Sequence, residues 1–112
     1  MINYHNKIFR AVSNSANGET SVETIFNYFQ EGNLLSGNYF GGKIKMGNLL
    51  GIVSADGALN FSYHHINDQN EVMAGTCTSI PELLPNGKIR LHETWRWTSV
   101  DKSTGNSIID EI

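Results

Sequence analysis

The ten residues from Lys88 to Trp97 constrain the fold more than any other stretch. Ile89, Leu91, Glu93, Trp95 and Trp97 fall on one face, and Lys88, Arg90, His92, Thr94 and Arg96 on the other. Strict alternation over ten residues is the period of a half-buried strand, since a helix would scatter these positions around its circumference. Leu59, Phe61, Tyr63 and His65 alternate in the same way against Asn60, Ser62 and His64. The chain is therefore expected to build itself from two-faced strands.

Regular polar punctuation extends that reading to the whole sequence. Turn signals fall at Asn17-Gly18, Glu31-Gly32-Asn33, Gly41-Gly42, Asp56-Gly57, Asp68-Gln69-Asn70, Asn86-Gly87 and Ser103-Thr104-Gly105. Asn-Gly and Asp-Gly suit hairpins because both central residues of a type I′ turn need positive φ. Seven signals separate eight segments, and eight strands of roughly nine residues with short turns use about 100 residues. The 112 residues are thus expected to form one all-β domain over 1–112. Its architecture is an eight-stranded up-and-down antiparallel β-barrel of lipocalin or calycin type, with a two-sheet sandwich as the competing arrangement. One short helical turn is expected at Ser79–Leu84, where Pro81 suits a first turn and Pro85 and Gly87 stop it. Ser107–Ile112 reads as the last strand. Val22–Gln30 and Lys43–Val53 carry apolar residues on both faces, which predicts cover from a neighbour, a helix or a second copy. A homo-oligomer is open on that ground.

Composition excludes several function classes. The formal net charge of −3 gives no basis for binding nucleic acid or an anionic membrane. Cys77 is the only cysteine, so no intrachain disulfide framework exists. The longest apolar stretch, Leu49–Val53, is far below the ~20 residues that span a bilayer. Met1–Lys7 lacks the apolar core of a signal peptide, which predicts a cytoplasmic protein.

Several runs point to a family. They are Asn14–Glu19, Tyr39–Ile44, Gly47–Gly51, Gly75–Glu82 and, most specifically, Gly87–Trp97. Together they resemble a group of short bacterial proteins often labelled N-acetylglutamate synthase. That resemblance implies a small lipocalin-like barrel and, by the label, acetyl transfer. The chain has no glycine-containing loop opening an amphipathic helix of the kind that holds acetyl-CoA pyrophosphate in acetyltransferases. Its tryptophans, Trp95 and Trp97, also come late, where lipocalins place a Gly-x-Trp on the first strand.

Five residues are the candidate ligand-binding set: Arg10, Tyr63, His65, Glu93 and Trp95. Glu93 shares the apolar face of its strand, and a carboxylate there must be paired, hydrogen-bonded or protonated. It is expected either to orient a ligand or act as a base, or to be satisfied structurally by an inward Arg, Tyr or His. His65 lies on the face of Phe61 and Tyr63, while the adjacent His64 points the other way. Arg10 falls with Ile8 and Val12, and in a closed barrel it is expected near an inward acid or an anionic ligand group. Trp95, Trp97, Tyr39, Tyr63, Phe26 and Tyr28 are expected to line an aromatic pocket or to fill the core. Lys88, Arg90, His92 and Arg96 form an outer basic stripe, expected to pair with nearby acids.

No motif signals a metal or cofactor, and none is expected. Cys77 reads as a small buried residue, and no Gly-x-Ser-x-Gly signals a hydrolase. Three functions follow: a barrel binding a small molecule in a cavity of a few hundred Å³ or more, an enzyme using Glu93 or His65 as acid/base in that cavity, or a non-catalytic structural or oligomerising domain.

Overall fold

The computed structural model describes residues 2–112. Eight strands follow in chain order: β1 (Lys7–Asn14), β2 (Ile25–Glu31), β3 (Leu34–Gly41), β4 (Ile44–Val53), β5 (Leu59–Asn67), β6 (Val72–Leu83), β7 (Ile89–Trp97) and β8 (Thr104–Glu111). Each pairs antiparallel with the next, and β8 returns to pair with β1, so the sheet closes into a barrel. Closure decides between barrel and sandwich, and it leaves no unpaired edge strand.

The alternation read from the sequence becomes inside and outside. On β7, Ile89, Leu91, Glu93, Trp95 and Trp97 are all buried. Arg90, His92, Thr94 and Arg96 face outward, where Arg90 grips Asp110 through two bonds and the ring of His92 meets Glu82. On β2 the inward pair is Phe26 and Tyr28. Outward apolar residues remain on β3 and β4, among them Leu34, Leu50 and Ile52, and Leu50 is 68% exposed. None of the described elements is a helix, so none covers them.

Three local expectations change. Ser79–Leu84 is not a helical turn, because β6 runs through it to Leu83. Pairing between β5 and β6 stops at Leu59 and Ser79, and beyond that point β6 bonds only to β7. Pro81 therefore sits on an overhang, where its missing N–H removes nothing on the β5 side. Asn17-Gly18 is not a tight hairpin either, since residues 15–24 form a long connection. The hairpins at Gly57 (φ +88°) and Gly87 (φ +83°) do use the left-handed conformation that glycine favours.

Arg10 is the third correction. It is exposed, with Ile8 and Val12 each 42% exposed on the same face, while Phe9 and Ala11 are buried. Both faces of β1 carry apolar residues, so periodicity alone leaves its parity open. Tertiary closure resolves it at the lower cost, burying a phenyl ring and a methyl group and leaving the guanidinium in water. Arg10 lies opposite Ile25 and Asp110, away from the interior.

Candidate functional site

The two ends of the barrel are built differently. Toward the 31–33, 54–58 and 84–88 turns, Tyr4, Phe9, Tyr28, Leu35, Leu59, Leu91 and Ile109 pack with no exposed surface. Toward the other end the interior opens into a cavity of about 50 Å³. Phe26, Tyr39, Phe61, Tyr63, Trp95 and Trp97 supply its aromatic walls, with Leu49 and Cys77 between them. Of the aromatic residues expected there, only Tyr28 lies elsewhere, in the solid half against Tyr4 and Phe9. The cavity is smaller than the few hundred Å³ expected from the sequence. Large rings and a folded-in loop occupy the space.

Glycines on adjacent strands make room for these rings. A Cβ on Gly47 would lie 2.5 Å from the ring of Tyr39 and 2.8 Å from His65, its cross-strand neighbours. A Cβ on Gly75 would lie 2.3 Å from the Tyr63 hydroxyl, and one on Gly105 would lie 2.3 Å from Trp95. The rings then meet at steep angles. Trp95 and Trp97 are 5.4 Å apart at 60°, and Tyr63 meets Trp97 at 5.8 Å and 66°. Such edge-to-face packing presents both ring faces and ring edges to the space they enclose.

Glu93 lies at the inner limit of the cavity, 8% exposed. Its direct cross-strand neighbours are Ser79 on β6 and Ser107 on β8. Their hydroxyls meet its two oxygens at 3.0 and 2.9 Å. The partners are thus two serines rather than the inward Arg, Tyr or His expected. Burial pushes the carboxyl above its ordinary pKa, and the serine bonds and Cys77 only partly oppose that. Burial also raises the Cys77 thiol, with the nearby Glu93 adding to the effect. This is the opposite of what activates a nucleophile. Cys77 is a buried packing residue, as its isolation in the sequence suggested.

His65 stands nearer the mouth, 3% exposed. Tyr39 Oη lies 2.8 Å from its Nδ1, and Glu19 Oε1 lies 2.7 Å from its Nε2. Burial of the Tyr39 phenol holds its proton firmly, so Tyr39 donates to Nδ1. The Nε2–H of His65 then donates to Glu19. Desolvation lowers the His65 pKa despite the opposing pull of Glu19, which favours this neutral tautomer. His64 faces outward, as its parity predicts.

Glu19 ties down the 15–24 connection. Its second oxygen accepts from Asn67 Nδ2 at 3.0 Å. Trp97 Nε1 donates to the Asn17 carbonyl at 3.0 Å, and Trp95 Nε1 to Asn14 Oδ1 at 3.2 Å. Asn14 Nδ2 in turn donates to the Thr20 hydroxyl at 2.8 Å. The loop therefore roofs the cavity, held by side chains that also line it.

Of the five candidates, Tyr63, His65, Glu93 and Trp95 come together at this cavity and Arg10 does not. Sequence reasoning missed Glu19, Asn14 and the two serines. Glu19 belongs to no alternating segment, so periodicity carried no signal for it. Ser79 and Ser107 each lie 14 residues from Glu93. A meander with known register would have placed all three side by side. Among the described residues no three His, Cys, Asp or Glu side chains group as metal ligands. No described helix is long and apolar enough to cross a membrane.

A closed, up-and-down eight-stranded barrel with an aromatic-walled cavity at one end defines the calycin-type class of β-barrel. Within it, the chain matches the family described as avidin-like protein over residues 2–112, and it belongs to that family. No curated protein and no solved structure matches the chain. The match replaces the resemblance read from the sequence. The barrel that resemblance implied is present, whereas nothing found supports the N-acetylglutamate synthase label.

Proposed function

We propose that this protein binds a small molecule inside the barrel, beneath the 15–24 loop. One observation carries the reading. The interior is solid at one end, yet at the other it keeps a cavity walled by aromatic rings, with buried polar groups facing it. A barrel serving only as a scaffold gains nothing from such a void, because each unfilled space forfeits packing. Membership of the avidin-like family supports the same reading.

Size sets the mechanism of entry. Sites for drug-sized ligands usually enclose about 300–1,000 Å³, and the cavity here is about 50 Å³. A ligand of that size enters only if residues 15–24 lift away, exchanging the contacts of Glu19, Asn17 and Asn14 for contacts with the ligand. The Cys77 thiol, held protonated by burial, offers no nucleophile there.

Avidin binds biotin, so biotin is the first compound to test. The measurement is native mass spectrometry of the purified protein, followed by titration calorimetry of any compound retained. A ligand that binds one per chain, and is lost when Trp97 is replaced by Ala in a variant that still folds, is the expected result. Finding that neither biotin nor any co-purifying compound binds, with the indole signals of Trp95 and Trp97 unmoved by every small molecule tried, would overturn the reading.

A further inference from the structure

The charge inside the cavity is one-sided. Its lining holds two carboxyl groups, Glu93 within and Glu19 at the roof, and no lysine or arginine. Among the described residues the buried set likewise contains no Lys or Arg. The only nitrogen base of that lining is His65, whose proton-accepting nitrogen is occupied by Tyr39. An anion entering here would meet carboxyl oxygens and the negative faces of the rings. A cation would meet the same groups as attraction, since an aromatic face draws positive charge within about 6 Å of its centroid.

The two acids are not equivalent. Glu19 already serves His65 and Asn67. Glu93 contacts two neutral hydroxyls and the neutral Cys77 thiol and has no positive partner. Beside it stand the walls formed by Trp95, Trp97 and Tyr63. We propose that the cavity binds a small primary alkylammonium ion, its N–H groups turned to Glu93 and Ser107 and its carbon chain held among Trp95, Trp97 and Tyr63. The inference rests on the reading that the interior is a ligand site and names the chemical class that site takes. A primary ammonium fits better than a quaternary one, because it has N–H groups to give to the oxygens and is the smaller ion for a cavity of about 50 Å³.

Binding is coupled to the proton on Glu93. The ammonium pairs with the carboxylate form, so wherever Glu93 is protonated before binding, its proton leaves to solvent as the ion enters. The other titratable groups facing Glu93 are Tyr28 on β2, Tyr39 on β3, Tyr63 on β5 and Cys77 on β6, all held neutral by burial. Glu19 and His65 lie toward the roof. The affinity for the ammonium therefore rises with pH as Glu93 ionises, then levels off.

The test is an NMR titration of the intact chain, reading the indole N–H signals of Trp95 and Trp97. Ethylammonium and propylammonium chloride are compared with ethanol and 1-propanol, their neutral counterparts, with sodium chloride as the salt control and biotin as a separate arm. Ligands this small bind at best between roughly tens of micromolar and millimolar. The ammonium ions are expected to bind at least about tenfold tighter than the alcohols. Glu93→Gln is expected to abolish that preference. Should that variant fail to fold, the wild-type pH series serves instead: ammonium affinity climbs with pH while alcohol affinity stays flat. Equal binding of alcohol and ammonium, or shifts matched by sodium chloride, overturns the proposal. If biotin or the alcohols move the indoles and the ammonium ions do not, the cation inference fails and the interior site stands. If nothing moves them, both fail.

Discussion

The two halves of this barrel use the same strands for different purposes. At the end capped by Tyr4, the inward side chains are mostly Phe, Leu, Ile and Tyr with no exposed surface. At the end roofed by residues 15–24, the same strands present His65, Cys77, Glu93, Trp95 and Trp97, each buried but none fully sealed, beside a fully buried Tyr39. The strand β7 spans both regimes, from Ile89 and Leu91 to Trp95 and Trp97, with Glu93 at the junction. The difference teaches that close packing and the space proposed for a ligand are separated along the barrel axis. One half is packed to hold the sheet closed, which allows the other to keep polar groups and unfilled space.

Truncation tests that division most sharply. Leu91→Ala in the solid half is expected to cost about 2–5 kcal/mol, toward the upper end because its surroundings are fully packed. Leu49→Ala beside the cavity is expected to fall at the lower end, since Leu49 lies against space that is already empty. Urea denaturation midpoints at unchanged slope measure both. Equal costs would mean that the halves are not energetically distinct.

Gly47→Ala probes the cavity end from the opposite direction. The added methyl would run into Tyr39 and His65, and overpacking of this kind costs about 1–3 kcal/mol. The Tyr39–His65 hydrogen bond should break with it, visible as a changed His65 titration by NMR.

Glu93→Gln separates the halves by pH. The Glu93 pKa is raised in the folded protein, so the native state holds a proton that the unfolded chain releases. Wild-type stability from this group is therefore full below its ordinary pKa of 4.5. It is lost as pH rises from there through the raised value. The Gln variant should lack that decline, giving the larger stability difference in its own favour at neutral pH. Parallel stability–pH curves for the two proteins would count against a protonated Glu93.

The smallest effect is expected at the roof. Glu19→Ala removes bonds to His65 and Asn67 and should cost about 1 kcal/mol. Faster amide hydrogen exchange is expected across residues 15–24 and little change around Leu91. The His65 pKa, already lowered by burial, should fall further without the carboxylate. Its stabilising effect, present above 6.5 and lost as pH falls toward the folded value, would then be lost over a wider acidic window. Uniform exchange throughout the barrel would show that the loop is not a separable roof.

Much of the fold was legible in the residues. Period-two alternation named the inward faces of β5 and β7, and the Gly-containing turns marked most of the boundaries. It failed where both faces carried similar residues. On β1, Ile8, Arg10 and Val12 looked as inward as Phe9 and Ala11, and one step of parity put Arg10 in the wrong place. At Pro81 local preference favoured a helical turn, but pairing with β7 drew the segment into a strand. The cavity lining was legible in part: Tyr63, His65, Glu93 and Trp95 followed from alternation, whereas Glu19 lies in a loop without periodicity.

By itself, the sequence determined that this protein is all-β, that its strands are two-faced, and that a carboxyl group and an imidazole must be accommodated inside. Those properties are local, because side-chain direction reverses at every residue of a strand and turns need particular φ angles. Only the tertiary structure decided that the sheet closes, that Ser79 and Ser107 flank Glu93, and that the 15–24 loop folds over His65. Closure and register depend on pairings between residues far apart in the chain. Their physical basis is the joint requirement to bury the rings, satisfy the interior polar groups and leave no strand edge unpaired.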